Sequence, residues 1–257
     1  MSAVFKREFL SYFRSPVGYV AIALFSFLSG FQFINMFSKG YISLSSEIIS
    51  LSSFFIIIVP IISMGLLAED KKRGTEILFY TTPVNLFDVV FGKFLAAYAL
   101  FAIMYFNVII HMIITVACKG KVDSGVFGAT LVFFFLAALY ISIGLFASSI
   151  SDSQVVSAIV SFVILLITQL LTTFSTLIQS ATSAMLAGSI MKNDPSKAQK
   201  TAEALGNAVK WLDPLSKTQD FRYGVFSVFP LIFCISGALV FIYLTFRKLD
   251  KKRWSQK

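Results

Sequence analysis

Six stretches of this chain approach or exceed the roughly 20 mainly apolar residues that a helix needs to cross the hydrocarbon core of a bilayer. They fall at about 17 to 37, 50 to 68, 89 to 117, 127 to 150, 155 to 178 and 225 to 246. Composition agrees: 57% of the 257 residues are hydrophobic and 14% charged, against about 45–50% and 25% in soluble domains. The expected class is therefore an all-α integral membrane protein with six transmembrane helices, forming a single membrane domain over residues 1–257.

A net charge of +9 raises the question of nucleic acid, but the Lys and Arg residues sit mostly at the ends of apolar runs rather than on one soluble face. That is the pattern that orients membrane proteins, so lipid and not nucleic acid is the expected surrounding. With the N-terminus inside, the cytoplasmic connections and termini carry thirteen Lys and Arg residues. The short outer loops have only Lys39, Lys119 and Lys121. Six more lie in the outer segment 179–224, whose length weakens their topological weight. Both termini are expected to be cytoplasmic. The first fourteen residues alternate Phe5, Phe9, Leu10 and Phe13 with Lys6, Arg7 and Arg14, which reads as a retained interfacial helix. The outer segment, with Asp194-Pro195 and Asp213-Pro214 as helix punctuation, is expected to form one or two short extracytoplasmic helices between spans five and six.

Several chemistries lack their groups. All thirteen Asp and Glu residues fall in loops or at span edges on these boundaries, which argues against a proton-driven carrier with a midplane carboxylate. His111 lies in the third span with no carboxylate or cysteine one turn away, and reads as a packed histidine. Lys93, where that span starts, is expected to snorkel to the headgroups. Cys118 and Cys234 form no framework or metal-ligand spacing. Gly92-Lys93 is no phosphate cradle, because Phe94 follows it and Phe87 stands where the first glycine is required. The chain is expected to bind no cofactor and to carry no catalytic site.

The most specific segment follows the second span. Residues Met64 to Val84, MGLLAEDKKRGTEILFYTTPV, resemble the signature of type-2 ABC exporter permeases, with Glu69, Lys72, Arg73, Gly74, Thr75, Glu76, Thr81, Pro83 and Val84 at the matching positions. The resemblance implies that segment 69–82 is the coupling helix. It would offer Glu69, Arg73 and Glu76 to an ATPase groove, with Ile77, Leu78 and Phe79 as apolar knobs. Three further runs match in order: Lys6 to Val20 as the elbow helix and the Ser15-Pro16 start of span one, Val89 to Ala97 as the Gly-Lys start of span three, and Phe146 to Val156 as the tight turn between spans four and five. The run Asp220 to Val225 resembles the family's Phe-Ser-Arg-Gly-Val lead into the last span but lacks the Ser and inserts Tyr223.

Within that family the pattern resembles permeases of the gliding-motility and nitrous-oxide-reductase-maturation systems. It implies a bacterial inner-membrane exporter subunit, two copies of a separate ABC ATPase holding ATP and Mg, a second permease copy or paralogue, and room for an extracytoplasmic auxiliary protein. An ion-coupled carrier and a non-transport membrane scaffold are the alternatives. In span five, Ser157, Ser161, Thr168, Thr172, Ser175 and Gln179 fall within about 60° of one another at about 100° per residue. This polar stripe suits either a translocation path or helix packing.

Overall fold

The computed structural model describes residues 1–38, 43–77, 85–118, 122, 125–185 and 195–255, and those residues form helices and short connections without a β-strand. Lys39, Lys119, Lys121, residues 78–84 and residues 186–194 lie outside the described residues, and with them Leu78, Phe79, Thr81, Pro83 and Val84 of the signature. Six helical stretches are long and apolar enough to cross a membrane: Pro16–Ser38, Leu44–Lys72, Leu86–Ala117, Gly125–Ile150, Gln154–Met185 and Phe229–Arg253.

Helix α1 (Ser2–Arg14) ends at Ser15, whose extended backbone follows from the proline after it, because proline disfavours the helical region for the preceding residue. Pro16 then opens α2 (Pro16–Ser38), where its missing N–H costs nothing. Phe5, Phe9 and Phe13 recur every four residues on α1 and pack ring to ring at 5.7 and 5.3 Å. On the same helix the buried Tyr12 hydroxyl donates to the Ile62 carbonyl at 2.7 Å. Helix α1 is thereby fastened to the second of the long apolar helical stretches.

The second span starts at Leu44, earlier than the hydropathy boundary at 50, because Ser43 caps it by accepting from the Ser46 N–H. It runs through α3 (Leu44–Leu51), a 3-10 turn (Ser52–Phe54), α4 (Phe55–Ser63) and α5 (Ala68–Lys72). Pro60 lies inside α4 and removes one donor from the ladder. The third span is likewise broken, into α6 (Leu86–Met104) and α7 (Phe106–Ala117), at Tyr105. Side chains from neighbouring spans stitch the break: the Tyr105 hydroxyl bonds Thr130 at 2.6 Å and Asn107 donates to Ser26 at 2.8 Å.

Helix α8 (Gly125–Ile150) is the axis of the bundle and is mostly buried, while helix α9 (Gln154–Met185) is peripheral and mostly exposed. Around α8 the fully buried rings of Phe25, Phe55, Phe101, Phe133 and Tyr140 draw four spans together, Phe55 standing 4.8 Å from Phe133 and 5.2 Å from Phe101. Such pairs add about 0.5–1.5 kcal/mol each beyond area burial. Gly144 permits a close approach of α8 to the end of α4, since a Cβ there would meet the Ser63 hydroxyl at 2.2 Å.

At about 1.5 Å per residue, the 32 residues of α9 span about 48 Å, well beyond a core of about 30 Å. Its far end packs against α10 (Pro195–Lys210), and the chain then continues through α11 (Pro214–Lys217) and a 3-10 turn (Gln219–Tyr223) into α12 (Phe229–Ser255). Asp213 caps α11 by accepting from Leu215 N–H at 2.9 Å. Lys217 lies over the rings of Phe233, Trp211 and Phe229 at 4.4, 5.2 and 5.7 Å, and burial pulls its ammonium below the usual lysine range against the opposing charge of Asp213. The run Asp220 to Val225 makes that turn, closes on Gly224 at φ 75, and sends Arg222 back to Ser50 at 3.1 Å. Both ends of the chain lie at one end of the bundle, tied there by the pairs Met1 with Asp88 and Lys252 with Glu76.

Candidate functional site

The signature segment begins where the second span comes apart. After Ser63 the chain makes a turn, which leaves backbone donors without helical partners. Ser148 of α8 supplies the acceptor: its hydroxyl oxygen takes the Leu67 and Ala68 N–H groups, both at 3.0 Å, and donates to the Met64 carbonyl at 3.3 Å. Helix α5 then carries Glu69 to Lys72. It ends on Gly74, whose φ of 70 lies in the left-handed region that glycine enters without a Cβ penalty. Thr75 folds back and donates to the Asp70 carboxylate at 2.8 Å.

Four ionic ties hold this short hook. Lys93 of α6 does not snorkel: its side chain is 1% exposed, and its Nζ stands 2.6 Å from Asp70 and 2.9 Å from Glu8. An apolar run shows where a lysine starts a helix, but not that α1 and α5 bring two carboxylates over it. Arg7 completes the cluster, 2.5 Å from Glu8 and 3.8 Å from Asp70. Burial is the largest single influence on Arg7 and opposes its charge, yet the hydrogen bond and charge of Glu8 with the charge of Asp70 hold it above its ordinary value. Lys71 donates to the carbonyls of Ser149 and Ser151 at 2.5 and 3.1 Å and pairs with Asp152 at 3.4 Å, fastening α5 to the turn between α8 and α9. Glu76 pairs with Lys252 of α12 at 2.5 Å.

The six signature residues within the described part thus divide. Lys72, Arg73 and Gly74 are exposed, and Glu69 is part-exposed and paired with Arg73 one turn on at 2.5 Å. Thr75 and Glu76 turn inward to Asp70 and Lys252. Ile77 is 56% exposed, an apolar side chain at the tip of a charged surface. The helical part is five residues long, and the rest is a turn held by side chains.

The span-five stripe lies along one face of α9 and is covered in part by this chain's own helices, with Thr172 left exposed. Ser157 and Ser161 are buried at the end near the termini, with the Ser161 hydroxyl donating to the Ser157 carbonyl at 2.8 Å. Thr168, half-buried, donates to the Leu165 carbonyl at 2.7 Å. Toward the far end, Thr172 donates to the Asp213 carboxylate, buried Ser175 donates to the Gly206 carbonyl at 2.7 Å, and Gln179 packs on Gly206. The opposite face of α9, including Val155, Ile159, Phe162, Val163 and Leu166, is exposed and apolar.

A second buried pair escaped sequence reasoning. Glu47 is 2% exposed inside α3 rather than in a loop, and its Oε1 lies 2.6 Å from His111 Nδ1 on α7, within hydrogen-bond distance. Phe33 of α2 stacks on the imidazole at 4.3 Å and 14°, so three spans meet there. The signal was the Ser43 cap with an acidic residue in the first helical turn, which moves the start of the span ahead of Glu47. Among the described residues, no group of three His, Cys, Asp or Glu side chains forms a metal site.

The family described as ABC-2 family transporter protein matches residues 2–245, which include both the hook and the stripe. No curated protein matches the chain.

Proposed function

This chain belongs to the ABC-2 family of transporter proteins, and on that premise we propose that it is the membrane-spanning permease subunit of an ATP-driven exporter. Membership implies a partnership with an ABC ATPase subunit and a multi-pass membrane protein. In the finer reading, two ATPase copies hold ATP and Mg and perform the hydrolysis, while this chain, paired with itself or a paralogue, performs none. The observation that carries the proposal is the hook at Glu69 to Ile77, exposed at Lys72, Arg73, Gly74 and Ile77 and tied by ion pairs and hydrogen bonds to α1, α6, α8 and α12. A partner that pushes on the hook pushes on four elements at once. ATP-driven closure would then bias the spans between two states through differential nucleotide affinity. The likeness to gliding-motility and nitrous-oxide-reductase-maturation permeases belongs to this reading, as does an auxiliary protein docked on α10.

The test is affinity purification of the tagged chain in mild detergent beside the variant Lys72→Glu/Arg73→Glu. These two side chains are exposed, so reversing them leaves every buried pair intact. Wild type should bring down an ATPase with vanadate-sensitive activity, and the variant should lose at least about tenfold of it, in line with the several kcal/mol that like-charge juxtaposition costs at an interface. An ATPase absent from both preparations would move the reading to an ion-coupled carrier or a scaffold.

The same reading puts both termini in the cytoplasm and the membrane in the bacterial cell envelope. Cys118 is exposed at the far end of α7 while Cys234 is buried. A membrane-impermeant maleimide applied to intact spheroplasts should therefore label the Cys234→Ser variant and leave the Cys118→Ser variant unlabelled. Labelling of Cys118 only after lysis would invert the topology.

A further inference from the structure

We propose that the groove between the terminus-side ends of α8 and α12 is a binding site for one anionic diacyl phospholipid. On α12, Leu244, Arg247, Lys248 and Lys251 follow at intervals of three, one and three residues, which sets them on one helical face. The facing wall is Phe146 and Ile150 of α8, and Phe146 meets Phe241 ring to ring at 5.8 Å to close the floor. The space is about 560 Å³ beside Phe146 and continues past Lys248 and Lys251 to Ile150 and Asp152.

The chemistry changes along the groove. Leu244 and Ile150, 40% and 47% exposed, continue the apolar surface of the spans. One turn later Arg247, Lys248 and Lys251 are exposed. Their neighbours are already taken: Lys71 is held by Asp152 and two carbonyls, and Lys252 by Glu76. Arg247, Lys248 and Lys251, by contrast, make no ion pair or side-chain hydrogen bond among the described residues. Two carboxylates line the groove, Asp250 and the Asp152 already paired with Lys71, so three cations without an ion pair among the described residues face two acids, one of them engaged. An acidic protein surface would match the charge but would leave the apolar half of the groove uncovered. A phospholipid with a net negative headgroup matches both halves, with its acyl chain along Leu244, Phe146 and Ile150 and its phosphate among the three cations.

The experiment uses the full chain, purified and delipidated, with native mass spectrometry against phosphatidylglycerol and phosphatidylcholine added in equal amounts. Each Lys or Arg near an anionic surface contributes roughly fivefold in partition at low ionic strength. Wild type should therefore retain phosphatidylglycerol over phosphatidylcholine by at least about tenfold. The variant Arg247→Gln/Lys248→Gln/Lys251→Gln should lose that preference, and the charge-keeping variant Arg247→Lys/Lys248→Arg/Lys251→Arg should keep it. Glycerophosphoglycerol and inorganic phosphate, which lack acyl chains, should fail to displace the lipid. Equal retention by wild type and the glutamine variant overturns the proposal. So does displacement by free phosphate, which would make the site an anion site, or an unchanged lipid preference with loss of the ATPase, which would make it a protein dock.

Discussion

Lys93→Met is expected to destabilise the protein by about 3–5 kcal/mol, the usual cost of removing one member of a buried ion pair. Lys93 is 1% exposed and stands between Glu8 and Asp70, whose side chains are 13% and 14% exposed. Methionine fills the volume but leaves two carboxylates over an apolar helix with only Arg7 to compensate. Lys93→Arg should also be costly, since a planar guanidinium does not reproduce the two contacts that the single Nζ makes with Asp70 and Glu8. The combination Lys93→Met with Glu8→Gln and Asp70→Asn should recover most of the loss, because exchanging a whole buried ionic set for neutral groups is far cheaper than breaking it. Thermal unfolding in detergent, followed by retention on gel filtration, measures all three. A Lys93→Met protein within about 1 kcal/mol of wild type would mean that water reaches the cluster and that the hook is not anchored through α6. In the proposed exporter the same variant should also weaken the link between ATP hydrolysis and transport, since Asp70 is the contact by which the hook grips α1 and α6 together.

The six spans were legible because apolar length is a local property of the chain, and the boundaries found at Pro16, Leu86 and Gly125 stand within a few residues of those that hydropathy marks. Where capping decides the boundary, hydropathy misplaced it. Ser43 starts the second span ahead of Glu47, and the last helix starts at Phe229 because the 3-10 turn and Gly224 occupy the residues before it. The stripe on α9 shows the same division. Its periodicity puts Ser157, Ser161 and Ser175 on one face, and all three are buried in the structure. Spacing on one helix does not say what lies opposite, and in this structure the opposing groups come from the chain itself, including Asp213 and the Gly206 carbonyl.

The hook illustrates the harder case. Its residue pattern singled out the segment, yet which side chains face outward depended on partners far away in sequence. Glu76 is spent on Lys252, Asp70 on Lys93 and Lys71 on the α8–α9 turn. Among the described residues of the hook, Lys72, Arg73, Gly74 and Ile77 remain outside, a more basic set than Glu69, Arg73 and Glu76. Long-range ion pairs are set by helix packing, so they become visible only once α1, α6 and α12 have been placed.

His111→Ala is expected to cost about 3–5 kcal/mol through the carboxylate it strands. Glu47 is 2% exposed and has His111 Nδ1 as its side-chain partner at 2.6 Å, so truncating the ring leaves a buried acid facing Phe33 and a cavity. Loss of the Phe33 stacking adds about 0.5–1.5 kcal/mol. Glu47→Gln should cost only about 1 kcal/mol, because an amide still offers the imidazole a hydrogen bond of ordinary strength. The paired change Glu47→Leu/His111→Leu should lie close to wild type, since apolar residues of similar volume replace a buried pair at little cost. Thermal unfolding of the four proteins in one detergent separates the alternatives. If His111→Ala and the paired change prove equally destabilised, the loss lies in ring packing against Phe33. If His111→Ala alone collapses, the buried charge of Glu47 is the reason spans one, two and three are held in this register at their far ends.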